Sequence, residues 1–537
     1  MLTHSAVTAV IALLALSLGL SAVARRIEVP YPLLLVVAGI ALGLASGLEG
    51  RFVDPDLVFL VFLPPILWAA AYFTSWRDFV ANRRPIGLLA LGLVVATTVV
   101  VAVVARAVLP GMPWAAAFAL GAIVSPPDAV AATAIAGRLQ VPRRIIVVLE
   151  GESLVNDASA LVLYRAAVAA AVTGTFSLAA SAGEFLLAAL LGVGMGLATG
   201  VLLRHAVRFA QDPFIETALT LLGPYIAWTA AEAVHASGVL ACVAGGLYVR
   251  RHFSTLTSPS TRLAARAVWD VFVFVLNALI FLLIGLQVAS LRGEPDSALR
   301  SEVMQAAVAV SVAVIAVRLA WVPVASWLPR ALVPAIRARD PLPGWKTMFL
   351  VGWTGMRGVV SLASALALPL TVDGGAPFPY RDEILVCTVG VVLATLLLQG
   401  VSLAPIIRAL RLPPDDLHAR EEAAARRQLT DAALERLEAL VSAERLAGPA
   451  VDRTRARYER RARQFGAPDW AAEHSTPEQV LLEKRLRYET LMAERLEAIR
   501  LRNSGVIGEE VLFHLERELD VEAVRSGLGE LRPAPLS

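Results

Sequence analysis

Residues 149–161 read LEGESLVNDASAL, setting Glu150, Glu152, Ser153, Asn156 and Asp157 inside a run otherwise apolar enough to cross a bilayer. A charge near the bilayer centre costs roughly 2.5–3.5 kcal/mol on insertion scales, so three carboxylates in one span point to a function. On a helix Ser153, Asn156 and Asp157 stand at i, i+3 and i+4 and share a face. A hydroxyl, an amide and a carboxylate there offer oxygens of the kind a hard monovalent cation requires. Glu152, five positions before Asp157, points about 140° away at 3.6 residues per turn. It looks to a neighbouring helix for a partner, and Arg357, near the middle of a later span, is the candidate, because a buried charge needs a counter-charge.

The rest of the chain supports a membrane setting. Its 537 residues are 57% hydrophobic with a mean hydropathy of +0.66, and the apolar runs recur at close to the ~20 residues that cross a bilayer as helix. The net charge of +3 is small, and the arginines are better explained by loops facing the cytoplasm than by a nucleic-acid partner. Cys242 and Cys387 both lie in apolar runs without a CxxC spacing, so neither a disulfide framework nor a resident metal or other cofactor is expected. The first run, Ala6 to Ala24, is followed rather than preceded by its basic residues, Arg25 and Arg26. That is the reverse of a cleaved signal peptide and reads as a retained span with the N-terminus outside.

Windows bounded by Pro, Gly and charge predict thirteen spans, at 5–24, 31–48, 56–74, 85–109, 113–137, 141–172, 178–203, 214–234, 236–249, 267–291, 302–328, 346–370 and 383–407. With the N-terminus outside, connections on the cytoplasmic side carry about twenty Lys and Arg and the opposite ones about four, a bias that loss of one span would scramble. An odd count suits two six-helix inverted repeats joined by a linking helix. The fifth span then corresponds to the twelfth, and both are interrupted, by Ser125-Pro126-Pro127-Asp128 and by Gly352, Gly355 and Gly358 around Arg357. Proline lacks an N–H and clashes with the preceding turn, so Pro127 and its neighbour open the helix and free carbonyls toward a cavity. Paired broken helices are the sequence mark of a transporter site; a simple kink packed through small residues is the plainer alternative. The fold class expected is therefore an all-α polytopic membrane protein with crossed broken helices, its transmembrane domain spanning 1–411.

Residues 412–537 form the second expected domain, a cytoplasmic helical tail, where about half of all charged residues fall in the last quarter of the chain. Ala423 to Val451 and Leu481 to Arg500 carry apolar residues at three- and four-residue spacing among Glu and Arg, as soluble amphipathic helices do.

LEGESLVND, preceded by SPPDAVAATA and followed by GWTGMRGVVSLA, resembles the Na⁺/H⁺ exchanger superfamily of monovalent cation/proton antiporters, in its NhaP-like bacterial branch. The resemblance spans roughly residues 5–410. It implies that Asp157 binds Na⁺ or H⁺ in alternation, that Ser153 and Asp128 help to hold Na⁺, that Asn156 stabilises the unwound crossing, and that Glu152 and Arg357 form an interhelical ion pair. It also implies a homodimer in the cell (plasma) membrane. The family commonly has Thr before the broken-span Asp and Pro after it, whereas here Pro127 precedes Asp128 and Ala129 follows, so one hydroxyl ligand is missing. Relatives with a second Asp at the position of Asn156 tend to be electrogenic. The single exchangeable carboxylate therefore implies one-for-one, electroneutral exchange of Na⁺, or of Li⁺ or K⁺, for H⁺.

Other embedded polar residues have plainer readings. Glu150 is either a cytoplasmic entrance charge or a snorkelling interfacial carboxylate. Glu216, Glu232, His235, Asp270 and Arg318 either line a funnel or, the favoured reading, satisfy helix ends and interhelical hydrogen bonds, and Asp270 is the best of them as an entrance residue. An intramembrane aspartyl hydrolase needs two carboxylates sharing a proton, and the Gly-x-Gly-Asp pattern of such proteases is absent. A K⁺/H⁺ antiporter and a cation channel or sensor remain as alternatives, the last separable by coupled proton movement.

Overall fold

Each of the thirteen predicted stretches falls on helix, two of them interrupted. The computed structural model describes residues 4–26, 31–46, 55–74, 76–139, 141–174, 178–256, 259–290 and 297–412, with scattered residues between 431 and 522. The helices are α1 (His4–Arg26), α2 (Tyr31–Ser46), α3 (Pro55–Phe73), α4 (Arg83–Val108), α5 (Trp114–Val124), α6 (Ala129–Ala136), α7 (Arg143–Thr173) and α8 (Leu178–Ala210). They continue as α9 (Pro213–Ala233), α10 (Gly238–Leu256), α11 (Pro259–Ser290), α12 (Ser297–Leu332), α13 (Trp345–Trp353), α14 (Val359–Leu366) and α15 (Arg381–Leu410). Short helical turns at Trp76–Ala81 and Pro334–Arg339 precede α4 and α13. Among the described residues there is no strand, only an isolated bridge between Thr371 and Pro377. Five of these helices are long and apolar enough to cross a membrane on length and composition among the described residues.

Local chemistry sets the helix ends. Asp212 caps α9, its carboxylate accepting from the N–H groups of Phe214 at 2.9 Å and Ile215 at 3.0 Å. Pro213 follows at the first helical position, where its missing N–H costs nothing. Gly174, at φ +71°, ends α7 in the left-handed conformation. The ninth predicted stretch ends at 249, where Arg250 and Arg251 close the apolar run, yet α10 continues to Leu256. Arginine is a good helix former, so the charges close the hydrophobic window without closing the helix.

The helices pack in two sets. Helices α4 to α7 and α12 to α15 form one bundle, with Val101, Leu120, Ile123, Val310, Val314 and Ile384 buried at its core. Helices α1 to α3 and α8 to α11 form a second layer, where α2 lies along α11 and α8 along α10. A Cβ on Gly39 would come within 2.9 Å of Gly285 Cα, so α2 and α11 meet backbone to backbone, as small residues allow between membrane helices. The second layer is filled by Leu67, Trp68, Leu203, Trp228 and Trp269.

The chain divides into two compact units, Met1–Pro414 and Asp415–Ser537. In the second, residues 431–439 are helical, as is the stretch 451–453. The amphipathic stretch Leu481–Arg500 lies outside the described residues apart from single positions.

Candidate functional site

Helix α5 stops at Val124 because Pro126 and Pro127 cannot donate to the carbonyls one turn back. Ser125 answers part of the loss, its N–H and hydroxyl reaching Ala122 O at 3.4 and 2.9 Å. The Asp128 N–H, which a continuous helix would aim at Val124 O, instead donates to Met356 O at 2.7 Å, in the second break. That break runs from Thr354 to Gly358 between α13 and α14. The two interruptions are therefore stitched to each other by their own backbones.

Arg357, fully buried, completes the joint. Its Nε donates to Val124 O at 2.9 Å and its Nη2 to Ser125 O at 3.2 Å, and Nη1 meets Gly355 O. Its own N–H donates to Thr395 Oγ1 at 3.1 Å. One guanidinium thus sits at the carbonyl ends of both α5 and α13, where a cation complements the partial negative charge of the helix dipole, an effect reaching ~2 kcal/mol in partly buried settings. Asp128 supplies the opposite charge at the N-terminal ends of α6 and α14. A Cβ on Gly358 would fall on the Asp128 carboxylate, so that carboxylate lies directly against the first residue of α14's cap. Gly358 has no substitute at this approach.

Helix α7 crosses beside the joint. The fully buried Asn156 donates from Nδ2 to Pro127 O at 3.0 Å, taking up a carbonyl that the first break leaves open. Asp157 and Ser153, on the same face, line a cavity of about 280 Å³ that Pro127 and Asp128 also line. Asp157 is only 8% exposed. Glu150 and Asp270 line the cavity too, both with exposed side chains, and Asp270 also accepts from Arg266 Nε at 3.1 Å. The space has room for a cation with several waters. Two further cavity residues carry no strong signal in the sequence: Asn277, a lone amide in the apolar run of α11, and Ser361, just beyond the glycine motif and with its buried hydroxyl unpartnered among the described residues.

The expected pairing of Glu152 with Arg357 is not the one formed. Glu152 pairs with Arg318 of α12: Nη2 meets Oε2 at 2.8 Å and Nη1 meets Oε1, with both side chains at most 1% exposed. Arg318 Nε also donates to Val351 O at 3.2 Å. The angular argument that turns Glu152 away from Asp157 holds, but the face it turns to looks at α12, while the guanidinium of Arg357 is occupied by carbonyls. The available signal was a second embedded arginine in the run VIAVRLAWV.

Comparison with known proteins agrees with this architecture. Residues 10–409 match the family model for the sodium/hydrogen exchanger, transmembrane. A Mycobacterium tuberculosis protein named uncharacterized Na(+)/H(+) exchanger Rv2287 is 36% identical over 96% of this chain and 95% of its own length. A Bacillus subtilis sodium, potassium, lithium and rubidium/H(+) antiporter is 35% identical over 71% of this chain and 58% of its own. The solved structure of the sodium proton antiporter MjNhaP1 from Methanocaldococcus jannaschii superposes with a TM-score of 0.57 at 16% identity, covering 76% of this chain and 99% of that one, and shares the fold. This chain belongs to the sodium/hydrogen exchanger family.

Proposed function

We propose that the protein is a secondary antiporter exchanging Na⁺, or Li⁺ or K⁺, for H⁺ across the cell membrane, with Asp157 taking cation and proton in turn. The observation that carries this reading is a nearly buried carboxylate, Asp157, in the same cavity as Asp128 and Ser153, beside the point where two broken helices are joined. Binding at such a crossing followed by movement of one helix set against the other is alternating access. Ser153 and Asp128 would complete the oxygen shell with water, while Asn156, Pro127 and Arg357 hold the crossing in shape and the Glu152–Arg318 pair ties α7 to α12. Glu150 and Asp270, which line the same cavity, serve as the entrance charges that draw cations in from the cytoplasm. The topology has the N-terminus outside and the C-terminus in the cytoplasm, and the assembly is a homodimer.

With Asn156 in place of a second acid, one negative charge serves both ions, so exchange is one-for-one and electroneutral. The relative named for sodium, potassium, lithium and rubidium makes each of these ions worth testing. The test uses the full chain in proteoliposomes, recording dissipation of a preset pH gradient on adding Na⁺, Li⁺ or K⁺ separately. Asp157→Asn should reduce the response to the protein-free background; substantial remaining exchange overturns the assignment. Clamping the membrane potential should leave the wild-type rate unchanged, and a rate that follows the potential rejects electroneutrality.

A further inference from the structure

A second cavity, of about 240 Å³, opens at one end of the same bundle and shares no lining residue with the first. Its rim is basic. Arg84 at the start of α4, Arg144 at the start of α7 and Arg330 near the end of α12 line it and converge on one carboxylate, Asp340. Arg144 Nη2 reaches Asp340 Oδ1 at 2.9 Å, Arg330 Nη2 reaches Oδ2 at 2.8 Å, and Arg84 Nη2 meets Oδ2 as well. Three guanidiniums against one carboxylate leave two positive charges uncompensated. Among the described residues Arg84 meets an acceptor only through Nη2, which leaves its other N–H groups able to donate. Burial pushes the Asp340 carboxyl up, but the hydrogen bond and charge of Arg144, with the charges of Arg330 and Arg84, hold it below the ordinary carboxylate range. It remains an anion that fixes the three forks in place.

The walls are apolar. Leu89, Val148, Val322, Met348 and Val351 face the space between α4, α7, α12 and α13. The level of the mouth is marked by Trp327, 59% exposed and next to the lining residue Ser326, and by Trp345, 65% exposed at the start of α13. Exposed tryptophans settle at the headgroup layer of a bilayer. A basic rim at headgroup level above an apolar wall, between membrane helices, matches an anion that carries a hydrocarbon chain.

We propose that this cavity binds an anionic glycerophospholipid, its phosphate held by Arg84 and Arg144 and its acyl chain lying along the apolar wall, while Arg330, its nitrogens donating to Asp340 and to Ser326 O, adds charge from behind. The planar guanidinium fork suits phosphate oxygens. In the proposed topology the cavity faces the cytoplasmic leaflet, where anionic lipid accumulates. Occupancy reaches the transport joint through Val351, whose side chain lines the wall and whose carbonyl accepts from Arg318, three residues ahead of the second break. The bound lipid braces α13 against α12.

The full chain, purified in detergent, is titrated with phosphatidylglycerol, phosphatidylcholine and inorganic phosphate, and bound lipid is counted by native mass spectrometry. Phosphatidylglycerol is retained in preference to phosphatidylcholine. Arg84→Gln and Arg144→Gln each weaken that binding about fivefold, the equivalent of ~1 kcal/mol per basic residue at a membrane surface. Arg83→Gln removes the same charge from an exposed residue outside the cavity and leaves binding unchanged. Ala325→Phe fills the cavity with every arginine in place and expels the lipid. Arg144 is half exposed, so its variant is expected to fold, and its elution on size-exclusion chromatography checks this. Equal retention of phosphatidylcholine, equal loss in Arg83→Gln, or binding unmoved by the Arg84 and Arg144 variants overturns the proposal. Displacement of the lipid by inorganic phosphate at similar concentration also overturns it and assigns the site to a soluble anion.

Discussion

Removing the charge of Glu152 tests the pairing on which the bundle depends. In Glu152→Gln the Arg318 guanidinium stays fully buried with only neutral amide acceptors, the Val351 carbonyl at 3.2 Å and the new side-chain amide oxygen, and no counter-charge. Two unit charges ~4 Å apart at an effective dielectric of about 20 attract by about 4 kcal/mol. Breaking a buried pair by removing one partner costs ~3–5 kcal/mol, so two independent arguments give the same size. A second cation nearby adds to the cost: a Cβ on Gly355 would lie 2.5 Å from Arg318 Cδ and 2.9 Å from Arg357 Nη1. The double variant Glu152→Leu with Arg318→Met replaces the pair by apolar groups and should return close to the wild type, because neither charge is left stranded. Thermal unfolding of the full chain in detergent, compared at one scan rate because such unfolding is kinetically controlled, reads both effects. Glu152→Gln melting with the wild type would refute the reasoning. So would rescue of Glu152→Leu by Arg357→Met in place of Arg318→Met.

Further substitutions probe the joint and the basic cluster. Gly358→Ala places a methyl on the Asp128 carboxylate and should lower both thermal stability and the exchange rate in proteoliposomes, with Gly358→Ser no better. Asn156→Ala leaves Pro127 O without its donor at a cost of ~1–3 kcal/mol, read as a lower unfolding temperature. Ser153→Ala should raise the cation concentration for half-maximal exchange while leaving folding intact, since its side chain lines the cavity. The depressed Asp340 carboxyl stabilises the fold fully above the ordinary value of about 4, and that contribution is lost as pH falls through its lower folded value. The difference in unfolding temperature between wild type and Asp340→Asn should therefore be constant at neutral pH and shrink only in strong acid.

What could be read from the chain and what could not divides along the range of the physics involved. The double proline announces its break because the missing N–H groups are a property of residues 126 and 127 alone. The common face of Ser153, Asn156 and Asp157 follows from a period of 3.6, also local. The union of the two breaks is different: the inverted-repeat argument matched the fifth and twelfth spans, yet that Asp128 N–H donates to Met356 O depends on how two distant segments meet. The identity of Glu152's partner lies wholly at that level. Period and burial establish that a cation must face it, and both Arg318 and Arg357 satisfy that requirement in sequence. The choice is made by the Val124 and Ser125 carbonyls, left open where the double proline breaks α5 and the Asp128 N–H turns to Met356 O. These claim Arg357 first, because a helix end buried without donors is as costly as a buried carboxylate without a cation. Arg318 is thereby left for Glu152. An orphaned helix end and an orphaned acid compete for the same guanidiniums, and counting the orphaned carbonyls alongside the acid would have called for both arginines from the sequence alone.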